Sequence, residues 1–304
     1  MSKKTIFQSL FMLFLTVISG FAQLSSAAWA AHASNEYQVF PNLTYLVATN
    51  AEVKLDIYQR RGATTPQPTV IYMHGGFWAI GSKEASLMSL MPWFEMGWNV
   101  VNVEYRLARV ALAPAAVEDC LCALKFVAAQ AKTYNVDVNR IVVTGESAGG
   151  HLALSLGMIP ESAQLDRECA QPTPLPKVAA VVNFYGITDV ADVVDGPHRA
   201  NSAMQWLGSL PNRDEITKRV SPLTYVRPGL PPIMTIHGDA DPLVPYQQAV
   251  RLHEALTKAG TVNQLLTIPG GKHGGFTPEE RTMIFTKIRE FLAKNGLGGA
   301  NSGL

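Results

Sequence analysis

The residues best placed for chemistry are Gly145-Glu146-Ser147-Ala148-Gly149. They stand between the β-branched run Ile141-Val142-Val143-Thr144 and the helix-forming run His151-Leu152-Ala153-Leu154, so the segment reads as strand, sharp turn and helix. Such a turn exposes the Ser147 hydroxyl above a sheet edge with a helix N-terminus behind it. Alone the pattern is weak: about one chain of this length in ten would contain it by chance. Three further segments supply what acyl transfer needs. Val70-Ile71-Tyr72-Met73 leads into His74-Gly75-Gly76-Phe77-Trp78, whose backbone N–H groups, with that of Ala148, can face a developing oxyanion. Ile233-Met234-Thr235-Ile236 ends in His237-Gly238-Asp239-Ala240-Asp241-Pro242 and delivers a carboxylate; Gln264-Leu265-Leu266-Thr267-Ile268 runs into Gly270-Gly271-Lys272-His273-Gly274-Gly275 and delivers an imidazole.

Ser, Asp, His is the chain order expected of an α/β-hydrolase. From roughly residue 43 to 292 the chain resembles the esterase and lipase branch of that superfamily, which includes the hormone-sensitive-lipase-like enzymes. Within it the chain is most similar to small feruloyl and acetyl-xylan esterases and to arylformamidases, through His74-Gly75-Gly76-Phe77-Trp78 and Val103-Glu104-Tyr105-Arg106-Leu107. The resemblance implies an eight-stranded, mainly parallel sheet with helices on both faces. It implies a triad of Ser147, His273 and, as the carboxylate just before the segment leading to Val244-Pro245, Asp241 rather than Asp239. Phe77 replaces the third glycine found in other members, so the oxyanion donors are drawn from the Gly75, Gly76 or Phe77 amides, together with Ala148.

The remaining candidates have plainer roles. His74 anchors its loop, His151 lies one helical turn past Ser147, His237 is a buried strand-end histidine, and His253 sits on a peripheral helix. Glu146 is expected to support the elbow or cap the surface. Phe77, Trp78, Tyr105 and Trp206 are candidate walls of an acyl or aryl pocket. No histidines or carboxylates fall at metal-ligand spacing, and two-step acyl transfer needs no cofactor.

Strands centred on Tyr72, Val101, Val143, Val181, Thr235 and Leu266 alternate with helices after an opening hairpin over 43–58, which predicts one α/β domain. A long helix is expected from Pro114 to Tyr134. The alternation lapses at 187–231, a candidate cap insertion and a candidate for substrate selection. The 304 residues are 47% hydrophobic with net charge +1, enough for a large core and without a basic patch for nucleic acid. Lys3 and Lys4 precede an apolar run over 6–18, and Ala28-Trp29-Ala30 or Ala31-His32-Ala33 offers a cleavage site. Residues 1–30 therefore read as a signal peptide, and the catalytic domain over 31–304 as exported to the periplasm or beyond, with no lasting membrane anchor. Cys120 and Cys122 point to different helix faces and cannot bridge each other, whereas Cys169 could pair with either in an oxidising compartment. The expected partner is a small ester with a short acyl or an aryl group. An arylformamidase-type amidase would use the same residues, and a secreted binding protein on the same scaffold would have no need of all of them.

Overall fold

We describe a computed structural model of the chain, covering residues 34–171, 173–196 and 198–298. The expected signal peptide lies outside these residues. Along the chain come β1 (Tyr37–Ala48), β2 (Ala51–Arg60), β3 (Gln67–Met73), α1 (Met91–Glu95), β4 (Asn99–Val103), α2 (Ala115–Ala129), β5 (Val136–Glu146), α3 (Ala148–Met158) and β6 (Ala180–Phe184). They are followed by α4 (Val190–Val194), α5 (Asn201–Leu207), α6 (Arg213–Arg219), β7 (Ile233–Gly238), α7 (Tyr246–Lys258), β8 (Asn263–Ile268) and α8 (Pro278–Lys294).

The strands form one eight-stranded sheet in the order β1-β2-β4-β3-β5-β6-β7-β8. β1 pairs with β2, and β2 with β4, antiparallel; every pairing from β4 to β8 is parallel. Alternate side chains of the parallel strands enter opposite cores. Ile71, Met73, Val143, Val181 and Ile233 pack with α2, α3 and the segment around Trp206, while Val70, Tyr72, Val142, Val182 and Met234 pack with Trp93, Trp98 and the apolar face of α8. That two-sided burial is why these strands are nearly continuous apolar runs. It also aims the carboxyl ends of β3, β5, β6, β7 and β8 at one edge of the sheet, where a ligand site can form.

The hairpin is longer than expected, β1 and β2 together spanning 37–60, and the long helix is shorter. α2 stops at Ala129, and a run of turns carries the chain to Asn135, whose φ of 54° redirects it into β5. A disulfide joins Cys122 to Cys169, tying α2 to the segment after α3 and leaving Cys120 buried as a free thiol. Closing a loop of 47 residues this way constrains the unfolded chain by about 4 kcal/mol in the loop-entropy account. Among the described residues no helix is long and apolar enough to cross a membrane.

Candidate active site

Ser147 follows β5 and caps α3 at φ 56°, ψ −117°, a positive-φ backbone conformation that a non-glycine residue keeps only where its surroundings force it. The force comes from β3. A Cβ on Gly145 would stand 2.4 Å from the Met73 carbonyl oxygen, and one on Gly149 2.0 Å from the same atom. Both glycines are required because the neighbouring strand end passes directly beneath the turn, not because of their own φ angles. The Ser147 N–H donates to the Phe184 carbonyl (2.9 Å), which ties the turn to β6, and Ser147 lines a cavity of about 750 Å³.

His273 lines the same cavity. Its Nδ1 lies 2.7 Å from Asp241 Oδ2; since a carboxylate only accepts, Nδ1 carries the proton and Nε2 is left as the basic nitrogen. Asp241 is enclosed, with its side chain fully buried. Burial alone would favour the neutral acid. Hydrogen bonds from His237 and His273, and to Oδ1 from the Leu243 and Val244 amides (2.8 and 3.0 Å), outweigh it and hold the carboxyl well below its ordinary range. His237 Nε2–H is shared between the Val244 carbonyl (2.9 Å) and Asp241 Oδ2 (3.2 Å). Asp239 instead accepts from the Gly270 amide (2.6 Å), pinning the glycine-rich loop before His273. The loop approaches so closely that a Cβ on Gly238 would meet the Gly271 carbonyl at 2.1 Å.

The 74–78 loop folds across the elbow: a Cβ on Gly75 would lie 3.5 Å from Ser147 Cβ. Gly75, Gly76 and Phe77 line the cavity, and the Gly76 and Phe77 amides donate to no acceptor among the described residues. The Ala148 side chain is buried, but its amide is the first of α3 and has no intrahelical acceptor. Gly76 has φ 118°, and a Cβ there would collide with the Ile80 carbonyl at 2.1 Å. His74 lies below the loop, stacked on Tyr105 with ring centroids 4.3 Å apart, and its Nδ1–H donates to the Gly75 carbonyl (2.8 Å). Burial lowers the His74 pKa, keeping the ring neutral as a brace.

Of the four expected pocket walls only Phe77 lines the cavity. Trp78, Tyr105 and Trp206 are core residues, 0%, 1% and 0% exposed. Phe77 and Trp78 both adopt positive φ (48° and 57°), and their rings meet edge to face with centroids 6.4 Å apart, Phe77 at the cavity and Trp78 in the core. Trp78 goes inward, stacking on Trp206 at 4.1 Å and donating from Nε1 to His151 Nδ1 (3.1 Å). His151 Nε2–H donates to the Val220 carbonyl (2.7 Å), and burial pushes this imidazole down to about 4. His151 thus clamps the segment 187–231 to α3 and the 74–78 loop. No described residue of that segment lines the cavity, which corrects its assignment to substrate selection. The walls come instead from Met88, Met91 and Trp93 around α1, from Tyr185 after β6, and from Arg281, Phe285 and Arg289 on α8. Glu146 also lines the cavity and faces the Tyr72 and Tyr185 hydroxyls. Tyr185 was findable, because it follows a parallel strand at the same edge as Ser147 and Asp241. The residues on α1 and α8 carry no local signal.

The sequence profile of the BD-FAE family matches residues 55–256. The chain belongs to that family, in the esterase branch of the α/β-hydrolases. Esterase LipC of Mycobacterium tuberculosis is 30% identical over 229 residues, covering 72% of this chain and 56% of LipC, so the chain spans little more than half of that relative's length. The ethyl acetate hydrolase of Pseudomonas putida is 29% identical, covering 67% of this chain and 64% of that enzyme. Among solved structures, butyrate-bound esterase 2 of Thermogutta terrifontis superposes with a TM-score of 0.73 at 26% identity, covering 88% of this chain and 97% of that one. The same esterase has been seen phosphorylated by paraoxon.

Proposed function

We propose that this chain is a serine carboxylester hydrolase acting on esters with short acyl or aryl groups. The observation that carries the reading is the juxtaposition of a strained Ser147 elbow with the Asp241–His273 pair at one cavity. His273 Nε2 takes the Ser147 proton as Oγ attacks the ester carbonyl, and Asp241 stabilises the imidazolium that forms. The oxyanion is met by amides of the 75–77 loop and by that of Ala148, whose position at the start of α3 adds the helix dipole. The alcohol departs with the proton from His273, and water repeats the cycle on the acyl-enzyme. The likeness to an ethyl acetate hydrolase and to a butyrate-bound esterase supports short acyl groups.

The wall formed by Trp93, Phe184 and Phe285 limits the acyl chain, because these rings pack on one another, Phe285 lying 6.3 Å from Trp93 and 6.1 Å from Phe184. Each accepted methylene adds about 0.8 kcal/mol of burial until the wall is reached. In a p-nitrophenyl ester series from acetate to palmitate, kcat/KM should therefore rise and then fall after about four to six carbons. A maximum at ten carbons or beyond would contradict the short-chain reading.

We also propose that the chain is exported and its leader removed. A disulfide between α2 and the segment after α3 suits an oxidising compartment. Intact mass should place the mature N-terminus at Ala31 or Ser34, with Cys122 and Cys169 linked and only Cys120 alkylated. An unprocessed chain would overturn the export proposal, and three free thiols in the secreted protein would contradict the disulfide.

A further inference from the structure

One cavity wall, a stripe of α8, has a distinct electrostatic character. Arg281, Phe285 and Arg289 are spaced i, i+4, i+8, so they share one helix face, and all three line the cavity. Of the other charges of α8, Glu280 closes the capping box on Thr277 and Lys287 pairs with Glu290 at 2.9 Å. Neither Arg281 nor Arg289 has a carboxylate within ion-pair distance among the described residues, although Glu95 and Glu146 line the same cavity.

Arg281 is also held in place. Its Nε donates to the carbonyl of Phe276 (3.0 Å), three residues past His273. With Nε used, the two Nη groups form an end-on fork of the geometry that matches a carboxylate. Glu146 sits one residue before Ser147, so a negative group next to the scissile carbonyl would be repelled, whereas one reaching α8 would be met by an unpaired guanidinium.

We propose that Arg281 is a specificity-determining residue that binds a carboxylate carried by the substrate on the part remote from the scissile bond. The proposal rests on the ester-hydrolase reading and narrows its substrate class to anionic esters. It requires no covalent step beyond the acyl transfer already described.

Two probes that share a scissile acetate, 4-acetoxybenzoate and its methyl ester, differ in charge; turnover is read as release of the phenol from its acetate, and each kcat/KM is divided by that probe's rate with hydroxide, because the ester substituent also makes the phenol the better leaving group. The folded wild-type protein should favour the acid by roughly three- to tenfold in kcat/KM, the range for a charge-assisted contact at an exposed position, and the preference should shrink as salt is raised. Arg281→Gln should abolish the preference, read as the ratio of the two probes' kcat/KM within that variant, so that any effect of the substitution common to both probes cancels. A wild-type protein without preference, or an unchanged preference in Arg281→Gln, would overturn the proposal. Equilibrium binding of the two probes to Ser147→Ala, with and without Arg281→Gln, reads the same preference without turnover. Failure of hydrolysis is thereby separated from failure of charge recognition.

Discussion

Asp241 shows how a residue's neighbours decide its role. Two carboxylates two residues apart end the same strand, and spacing cannot choose between them. In the fold, Asp241 is buried, accepts two backbone amides through Oδ1 and faces two imidazoles through Oδ2; Asp239 holds a loop amide at the surface. On the proposed mechanism Asp241→Asn removes the charge that orients and stabilises His273, and by analogy with the serine protease triad should lower kcat by about 10⁴-fold. Asp239→Asn keeps an oxygen for the Gly270 amide and should cost only about a fewfold, as expected for a substitution that preserves its hydrogen bond. Steady-state kinetics of the two purified variants on an aryl acetate decide the matter, and equal losses would contradict the assignment. The residues of this site were largely legible from sequence because each sits at the end of an apolar strand, beside glycines. Trp78 was not: its ring is held in the core by Trp206 and His151, residues far away in the chain, and nothing in residues 77 and 78 announces those contacts.

At the scale of elements, the parallel strands were readable because burial on both faces makes them short apolar runs, and every strand centre expected from the sequence lies in an observed strand. The segment 187–231 was recognisable as an interruption, but its packing was not. Whether it covers the cavity or braces the scaffold turns on contacts between residues far apart in the chain, above all Trp78 to Trp206 and His151 to Val220. The His151 clamp has a consequence for pH. Its folded pKa of about 4 lies below the ordinary value of 6.5, so between these values the unfolded chain binds more protons than the folded one. Stability therefore falls as pH drops through this window, by roughly 3 kcal/mol at most from this residue, and levels off below it. His74 and His253, also lowered by burial, add slopes of the same sign. In urea unfolding between pH 7 and 4.5, wild type should lose more stability than His151→Gln, whatever the offset between the two proteins. Parallel pH profiles would show that His151 does not carry this linkage.

For the whole molecule, the cavity is the feature that sequence reading reached least. Its floor comes from motifs, but its walls come from α1 and α8, nearly 200 residues apart in the chain. Only the assembled sheet and both helix layers bring them together with Ser147 and His273. On the proposed mechanism the nucleophilicity of Ser147 is a property of the fold: the same side chain in an unfolded chain is an ordinary alcohol. The most direct test is covalent labelling of the folded protein with paraoxon, read by intact mass and peptide mapping alongside residual esterase activity. The account predicts one diethylphosphoryl group per chain, located on Ser147, appearing in step with loss of hydrolysis, and no labelling of the urea-unfolded chain or of Ser147→Ala. Modification at another residue with activity lost, or hydrolysis that persists once Ser147 is fully modified, would contradict it.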